Sequence, residues 1–263
     1  MKIIVCVKQV PDTTDVKIDP KTGTMVREGV KSIFNPDDLN ALEEALKMKD
    51  EAAEASEVIC LTMGPPQAEA ILDEALAMGA DRAILLSDRA FAGADTWATS
   101  NTLAAAIKKI GDFDIIFAGR QAIDGDTAQV GPQLAERLNI PQITYVQSFK
   151  LEKDAIIAER MLEDGYEIVK TRMPALITAI KELNAPRYMD IRRIYSMFNK
   201  GLIEVWTLKD LGIPDTEVGL NASPTKVQRS FSPDAKAPGR MIGGSAKDAV
   251  SELVTELRQK HVI

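Results

Sequence analysis

The sequence predicts a doubly wound α/β fold built on a mostly parallel sheet, and two observations carry this prediction. Short β-branched segments alternate with helical segments through the first two-thirds of the 263 residues, which is the pattern of βαβ units. Candidate strands such as Ile115–Ala118 are apolar at nearly every position, as expected for parallel strands that are buried on both faces. The length suits one large domain, or one domain plus an arm.

Four strands and four helices account for this region. The strands are predicted at Ile3–Val7, Val58–Thr62, Ala83–Leu86 and Ile115–Ala118. The helices are predicted where apolar residues recur at a helical period, at Asp37–Lys49, Gln67–Met78, Thr96–Ile110 and Ala128–Leu138. A hairpin at residues 16–27 is expected as an insertion after the first strand, because two short β-rich segments flank a Pro/Gly turn there.

The pattern changes after Pro141. Four segments are predicted to be antiparallel strands that extend the sheet: Ile143–Leu151, Ala155–Met161, Glu167–Thr171 and Ala175–Ile180. We assign residues 1–203 to the α/β domain and residues 204–263 to a C-terminal linker and helix. Residues 221–245 are rich in Ser, Pro and Gly, and Ser245 is suited to cap a last helix over 246–260. Either an arm that packs on a partner or a helix folded back on its own domain fits this pattern.

Composition and charge exclude several functional classes. A hydrophobic fraction of 45% and a charged fraction of 27% are those of an ordinary globular protein. The net charge of −7 makes nucleic acid and anionic membrane poor partners. No apolar run approaches the ~18 residues that span a bilayer, and the first residues form a strand pattern rather than a signal peptide. We therefore expect a cytoplasmic protein without membrane insertion.

The chemistry-bearing residues are few. The sequence has two cysteines, Cys6 and Cys60, and one histidine, His261. A disulfide framework, a multi-cysteine metal site and most histidine-based acid–base schemes are thereby excluded. Demanding chemistry would have to come from carboxylates or from a bound organic cofactor, which the protein would bind and orient.

The best candidate for a nucleotide site is the segment Gly119–Val130. The chain lacks GxGxxG and P-loop motifs. This segment nevertheless leads from a strand into a helix at the carboxyl edge of the sheet, where ligands bind in such folds. The helix N-terminus offers N–H groups to a phosphate, Gly125 permits close approach of the backbone, and Arg120 supplies a cation. An ordinary capped strand-to-helix loop is the alternative.

Acidic residues near this edge need other roles, since a carboxylate repels a phosphate. Asp124 and Asp126 are expected to cap the helix or to bind a ribose hydroxyl. Asn35 or Asp37 can cap the helix that begins at Pro36, and capping alone explains them. Asp95 is a predicted cap of the helix starting at Thr96, whose first-turn hydroxyls could hold a second phosphate or a ribose.

Together, these segments resemble the small (beta) subunit of electron transfer flavoproteins over essentially the whole chain. The motifs that carry the resemblance are Val7–Asp12, Asn35–Asp38, Met63–Pro65, Ala75–Arg82, Ala118–Gly131 and Glu163–Lys170 leading to Met173–Leu176. The resemblance implies a Rossmann-like fold of the adenine nucleotide alpha hydrolase-like type and a heterodimer with a larger alpha subunit. It implies that a nucleotide is bound by Cys6, Asn35, Pro36, Asp37, Asp38, Met63, Gly119, Arg120, Gln121, Ala122, Ile123, Asp124, Gly125, Asp126, Thr127, Ala128, Gln129 and Val130.

Within the family, the chain looks like the electron-bifurcating type, to which the segments around residues 9–13, 23–29, 35–43 and 94–100 are similar. This implies FAD at the site, with Asp95 and Thr96 as further binding residues and NADH as hydride donor. The electrons would pass to ferredoxin or flavodoxin and, through the alpha-subunit FAD, to an acyl-CoA dehydrogenase. The chain would be the redox subunit of this complex, with no catalytic side chain and no metal.

Three alternatives remain open: a conventional beta subunit that holds structural AMP, a stand-alone adenine-nucleotide sensor, and a classical NAD dehydrogenase, which the missing GxGxxG disfavours. The loop and helix at 183–200 match the family's recognition loop, which implies docking of the dehydrogenase. The implied docking residues are Leu183, Tyr188, Ile191 and Ile194. An amphipathic helix lying on its own sheet is the alternative for this stretch.

Overall fold

The fold is taken from a computed structural model that describes residues 1–12, 31–153, 155–197, 201–228 and 238–263. The predicted hairpin at 16–27 and residues 198–200 of the predicted docking stretch lie outside these ranges. Immediately before and after the hairpin region, two short strands pair antiparallel: β2 (Gln9–Pro11) and β3 (Ser32–Phe34). They close the base of the insertion beside the first strand.

A nine-stranded sheet dominates the described part of the chain, in the order β11-β5-β4-β1-β6-β10-β7-β8-β9. Its strands are β1 (Lys2–Cys6), β4 (Glu57–Met63), β5 (Arg82–Leu86), β6 (Ile115–Gly119), β7 (Gln142–Glu152), β8 (Ala155–Met161), β9 (Tyr166–Arg172), β10 (Ala175–Ala179) and β11 (Ile203–Trp206). From β11 to β7 all neighbouring strands are parallel, and β8 and β9 add antiparallel pairs at one edge. The predicted mostly parallel sheet is confirmed.

Helices cover both faces of the parallel strands. The helices are α1 (Pro36–Glu51), α2 (Glu69–Met78), α3 (Thr96–Ile110), α4 (Val130–Leu138), α5 (Ile191–Met197), α6 (Leu208–Leu211), α7 (Gly219–Ala222) and α8 (Ala246–Gln259). Alternate residues of β1 point to opposite faces: Ile3 and Val5 join a core with α1 and α2, whereas Ile4 and Cys6 join a core with α3 and α4. The doubly wound arrangement follows from this alternation.

One prediction about the second half of the sheet is wrong. The segment 175–180 was expected to pair antiparallel, but β10 lies between β6 and β7 and is parallel to both. Its five residues are all buried, as a central parallel strand requires. The chain reverses direction from β7 to β8 and again from β8 to β9, so β10 can run parallel to β7. The sheet also continues past the expected boundary at residue 203, since β11 pairs with β5.

The last helix, α8, begins as expected. The Ser245 hydroxyl accepts a hydrogen bond from the backbone N–H of Asp248, which is an N-cap. Val250 and Leu253 on this helix are exposed. No helix in the described ranges is both long and apolar enough to cross a bilayer.

Candidate functional site

The candidate site lies at the carboxyl edge of the parallel strands. Strands β1, β4 and β6 end there at Cys6, Met63 and Gly119. Helices α1, α3 and α4 begin near this edge, after β3, β5 and β6 in the chain. Cys6 is buried, and burial raises the pKa of its thiol to about 12, so it is no nucleophile. Met63 pairs with Leu86 at the end of β4.

Asn35 attaches the loop 120–129 to the start of α1. Its amide nitrogen donates to the carbonyl of Gln121 at 2.8 Å, and its amide oxygen accepts from the backbone N–H of Ile123 at 3.1 Å. Its side chain makes no hydrogen bond to the amides of α1. Asn35 therefore occupies the N-cap position of α1, one of the two positions predicted, but does not cap the helix with its side chain, because the loop uses both the donor and the acceptor of this fully buried amide.

Asp38 joins the same loop to β1. One carboxylate oxygen accepts from the backbone N–H of Lys8 at 2.8 Å and the other from that of Gly119 at 3.0 Å. Burial raises the pKa of this carboxyl to about 7, against the lowering effect of hydrogen bonds from Asn35, Lys8 and Gly119. A side chain on Gly119 would overlap an Asp38 carboxylate oxygen, so glycine is required where β6 ends.

The two cations at the edge are paired with carboxylates. Lys8 binds Asp124 at 2.7 Å, and the Arg120 side chain lies 3.3 Å from an Asp37 oxygen and 5.8 Å from the centre of the Tyr145 ring. Burial raises the pKa of Asp37, and Arg120 opposes this shift. In each pair the cation offsets the charge of the carboxylate, so Asp124 and Asp37 are not left unpaired to repel an anion.

Of the two roles predicted for Asp124 and Asp126, the structure excludes capping of α4. Asp126 accepts a hydrogen bond from the side chain of Gln121, and neither it nor Asp124 caps α4. Asp126 and Ala128 adopt left-handed backbone conformations, with φ of 50° and 53°, which are uncommon for residues other than glycine and tend to cluster at ligand sites. A Cβ on Gly125 would have no atom within 4 Å.

Helix α4 begins at Val130, two residues later than expected, and its first turn has no side-chain cap. Its N-cap is Gln129, whose side chain accepts instead from the Thr96 hydroxyl at 2.9 Å. The N–H groups of Val130 and Gly131 lack helical partners, as in every first turn. Glycine at 131 lets α4 approach β10, because a Cβ there would lie 2.7 Å from the Thr178 methyl group.

Asp95 is the N-cap of α3, as predicted. One carboxylate oxygen accepts from the N–H of Ala98 at 3.0 Å, and the other accepts from the N–H of Thr225 at 3.0 Å. The Ser223 hydroxyl accepts from the N–H of Asp95 at 2.9 Å. These contacts tie the segment after α7 to the same edge of the sheet, which sequence reasoning missed.

The predicted docking residues come later in the chain than the residues of the candidate site, and they differ in exposure. Tyr188 is 97% exposed and Ile191 is 76% exposed, with Tyr195 84% exposed on the same helix. Leu183 packs against the main core, and Ile194 is half-buried. Helix α5 packs against α2.

Sequence reasoning passed over Tyr145 as a site residue. Tyr145 has a left-handed backbone, with φ of 58°, at the bulge where β7 meets β10. No sequence signal marks that position, because the bulge depends on strand pairing.

These features define a Rossmann-like α/β protein whose loop and uncapped helix start at the carboxyl edge suit the phosphates of a nucleotide. Comparison with known proteins gives the family. The electron transfer flavoprotein domain matches residues 22–210, so the chain belongs to the electron transfer flavoprotein family, and the resemblance to its beta subunits is confirmed.

Three relatives illustrate the match, each aligned over 100% of both chains. The caffeyl-CoA reductase-Etf complex subunit CarD of Acetobacterium woodii is 58% identical. The electron transfer flavoprotein subunit beta of Thermoanaerobacterium thermosaccharolyticum is 54% identical, and the acryloyl-CoA reductase electron transfer subunit gamma of Anaerotignum propionicum is 49% identical. The chain is thus similar to subunits of electron-transfer complexes.

Proposed function

We propose that this chain is the beta subunit of an electron-bifurcating flavoprotein and binds FAD at the carboxyl edge of its sheet. The chemistry that FAD would supply there is uptake of a hydride from NADH and transfer of its electrons to two acceptors. One acceptor is ferredoxin or flavodoxin, and the other is an acyl-CoA dehydrogenase reached through the FAD of the alpha subunit. This chain's own residues bind and orient the cofactor and set the electrostatics around it.

The observation that carries the proposal is the attached loop that ends in an uncapped helix. Asn35 and Asp38 fix residues 119–123 with three hydrogen bonds, and a fourth joins Asp38 to the backbone of Lys8. Beyond them, the open space at Gly125 and the free amides of Val130 and Gly131 suit a pyrophosphate. The left-handed residues between them supply the strained backbone expected where a loop is shaped for a ligand.

A second observation favours a dinucleotide over AMP. The Thr96 hydroxyl and the Gln129 amide are hydrogen bonded, so the starts of α3 and α4 form one continuous polar edge. FAD has more groups to anchor than AMP has, and two adjacent helix starts provide more donors than one. The conventional alternative, with AMP as a structural ligand, would need only the loop and the start of α4.

The proposed partners follow from the family and from the relatives' names. We infer a heterodimer with an alpha subunit, for which the exposed Val250 and Leu253 of α8 offer an apolar contact surface. The relatives in Acetobacterium and Anaerotignum are named as subunits of reductases of CoA thioesters. An acyl-CoA dehydrogenase or a related reductase therefore suits the exposed docking residues Tyr188 and Ile191.

The test is a count of cofactors. The chain is co-expressed with its alpha subunit, the complex is denatured, and the released FAD and AMP are quantified per heterodimer. Two FAD and no AMP support the proposal, whereas one FAD and one AMP identify the conventional type. Gly125→Val serves as the site-directed control, because it adds bulk only to the open side of the loop. It should release one of the two nucleotides and leave the other.

A further inference from the structure

The docking segment, residues 183–197, is attached to α1 by buried polar side chains. The Asn40 amide nitrogen donates to the Asn184 carbonyl at 2.8 Å, and the Asn184 amide nitrogen donates to the Asn40 carbonyl at 3.0 Å. The same Asn184 nitrogen lies 2.9 Å from a Glu44 carboxylate oxygen. Asn40 and Glu44 are buried and Asn184 is half-buried, so these bonds fix the beginning of the segment in a partly shielded position.

Arg187 provides the strongest attachment. Its backbone N–H and its Nε both donate to one oxygen of Glu43, at 3.0 Å and 2.8 Å, and its Nη2 lies 3.1 Å from the other oxygen. The Glu43 side chain is 5% exposed, whereas Asp50, which receives the remaining Arg187 nitrogen at 2.8 Å, is 59% exposed. A forked, charge-assisted contact of this kind fixes orientation as well as distance.

The end of the segment rests on α2. The N–H of Asp190 donates to the Ala77 carbonyl at 3.0 Å. The Arg193 guanidinium lies 3.4 Å from the Leu76 carbonyl and 3.3 Å from the Ala80 carbonyl. A cation is favoured at this position, because carbonyls at a helix C-terminus carry partial negative charge.

Packing does not hold the part between these attachments. Tyr188 is 97% exposed, and a cavity of about 250 Å³ lies beneath it, lined by Leu46, Lys49, Met78, Arg187 and Arg193 among others. The exposed apolar groups Ile191 and Tyr195 follow directly. Since Tyr188 is almost fully exposed, the polar bonds to α1 and α2 determine where the loop around it stands, whereas Ile191 and Tyr195 follow on α5, which packs against α2.

We propose that Glu43 is a positioning residue that, through Arg187, holds the docking segment in its partner-binding conformation before the partner arrives. The proposal rests on the proposed docking function of this segment. Holding a loop in advance removes the ordering that association would otherwise require, so the clamp should lower the dehydrogenase concentration needed for electron transfer. It should leave the maximal rate unchanged, because neither residue lies at the nucleotide site.

The first experiment measures the loop without the partner. Tyr188→Cys is labelled with a nitroxide in the intact heterodimer; Cys6 and Cys60 of this chain are buried and free, and labelling of the parent heterodimer gives the background. Glu43→Gln should increase the mobility of the label at least twofold in the electron paramagnetic resonance spectrum. Asp50→Asn is the matched control and should change it little. Equal mobility in the parent and in Glu43→Gln would overturn the clamp.

The second experiment measures electron transfer at varied acyl-CoA dehydrogenase concentration. Glu43→Gln and Arg187→Gln should each raise KM for the dehydrogenase about tenfold, with kcat and flavin content near the parent values, and the double variant should be no worse than either. Arg187→Lys keeps the charge and provides the test if Arg187→Gln misfolds. Its KM should lie between those of the parent and of Arg187→Gln. An increased label mobility with an unchanged KM would refute the positioning role.

A third variant separates this inference from the function on which it rests. Ile191→Ala removes an exposed apolar side chain that makes no clamp contact, so it should raise KM for the dehydrogenase without changing the mobility of the label. If Ile191→Ala leaves KM unchanged while Glu43→Gln frees the loop and raises KM, the assigned docking residue is wrong and the clamp stands.

Discussion

Asn35→Ala tests directly whether the loop 120–129 is attached in the way described. The substitution removes the two hydrogen bonds that Asn35 makes with the loop, at 2.8 Å to Gln121 and 3.1 Å to Ile123, from a side chain with 0% exposure. Each of the two backbone groups left without its hydrogen bond costs about 1–2 kcal/mol, the lower part of the range for buried groups, because Gln121 is half-buried and Ile123 is exposed. We therefore expect the closed loop to lose about 2–4 kcal/mol relative to its open state.

Hydrogen exchange of the heterodimer is the appropriate assay. A loss of about 2–4 kcal/mol corresponds to roughly 30- to 1,000-fold faster exchange, at 1.4 kcal/mol per factor of ten. The acceleration should be confined to peptides covering residues 119–130 and should accompany weaker retention of the nucleotide during dialysis. Asn101→Ala is the matched control, because the Asn101 side chain also makes a hydrogen bond through each of its polar atoms, to the Glu217 carbonyl and from the Arg137 guanidinium.

Exchange in residues 119–130 that is unchanged by Asn35→Ala would refute the argument. Acceleration spread equally over the whole sheet would also contradict it, since that would indicate general destabilisation. Loss of the nucleotide with no change in exchange would mean that Asn35 contacts the ligand instead of holding the loop.

Three other predictions concern the same edge. Burial raises the pKa of Asp38 from 3.8 to about 7, so the folded protein keeps a proton that the unfolded chain releases. The free energy of unfolding should therefore fall as pH rises from about 4 to about 7. In Asp38→Asn, the free energy of unfolding measured with urea should change less with pH over this range. Gly119→Ala should disrupt the fold by collision with Asp38, whereas Gly125→Ala, with open space around its Cβ, should keep the melting temperature and lower the amount of nucleotide released on denaturation. Gly131→Ala should destabilise by about 1–3 kcal/mol through overpacking against Thr178, and a loss below 0.5 kcal/mol in chemical denaturation would contradict the tight approach of α4.

The sequence predicted the parallel half of the fold well because each element there has a strong local signal. Continuous apolar strands such as Ile115–Ala118 can only be central, and Asp95 marks the start of α3 unambiguously. The position of β10 was missed because strand order depends on contacts between distant parts of the chain. Nothing in the apolar segment 175–179 distinguishes insertion beside β6 from addition at an edge.

The candidate site was predicted in outline and not in its contacts. The loop 119–130 and the segment 35–38 were both selected, from the strand-end rule and from the resemblance. Their relation was not visible, because Asn35 and Asp38 were interpreted as parts of one helix start, whereas their side chains bond across the chain to Gln121 and Gly119. Hydrogen bonds between residues about 80 positions apart leave no periodic signature in a sequence.

Helix α1 has a consequence for engineering this subunit. Its 16 residues form a rod of about 24 Å that carries Asp38 at one end and Glu43 little more than a turn later. Exchanging residues 183–197, the proposed docking segment, for those of another beta subunit would place an unfamiliar loop on a helix shaped for the old one. A chimera should therefore exchange α1 together with the loop while keeping Asn35 and Asp38, which hold residues 119–123 of the candidate nucleotide site.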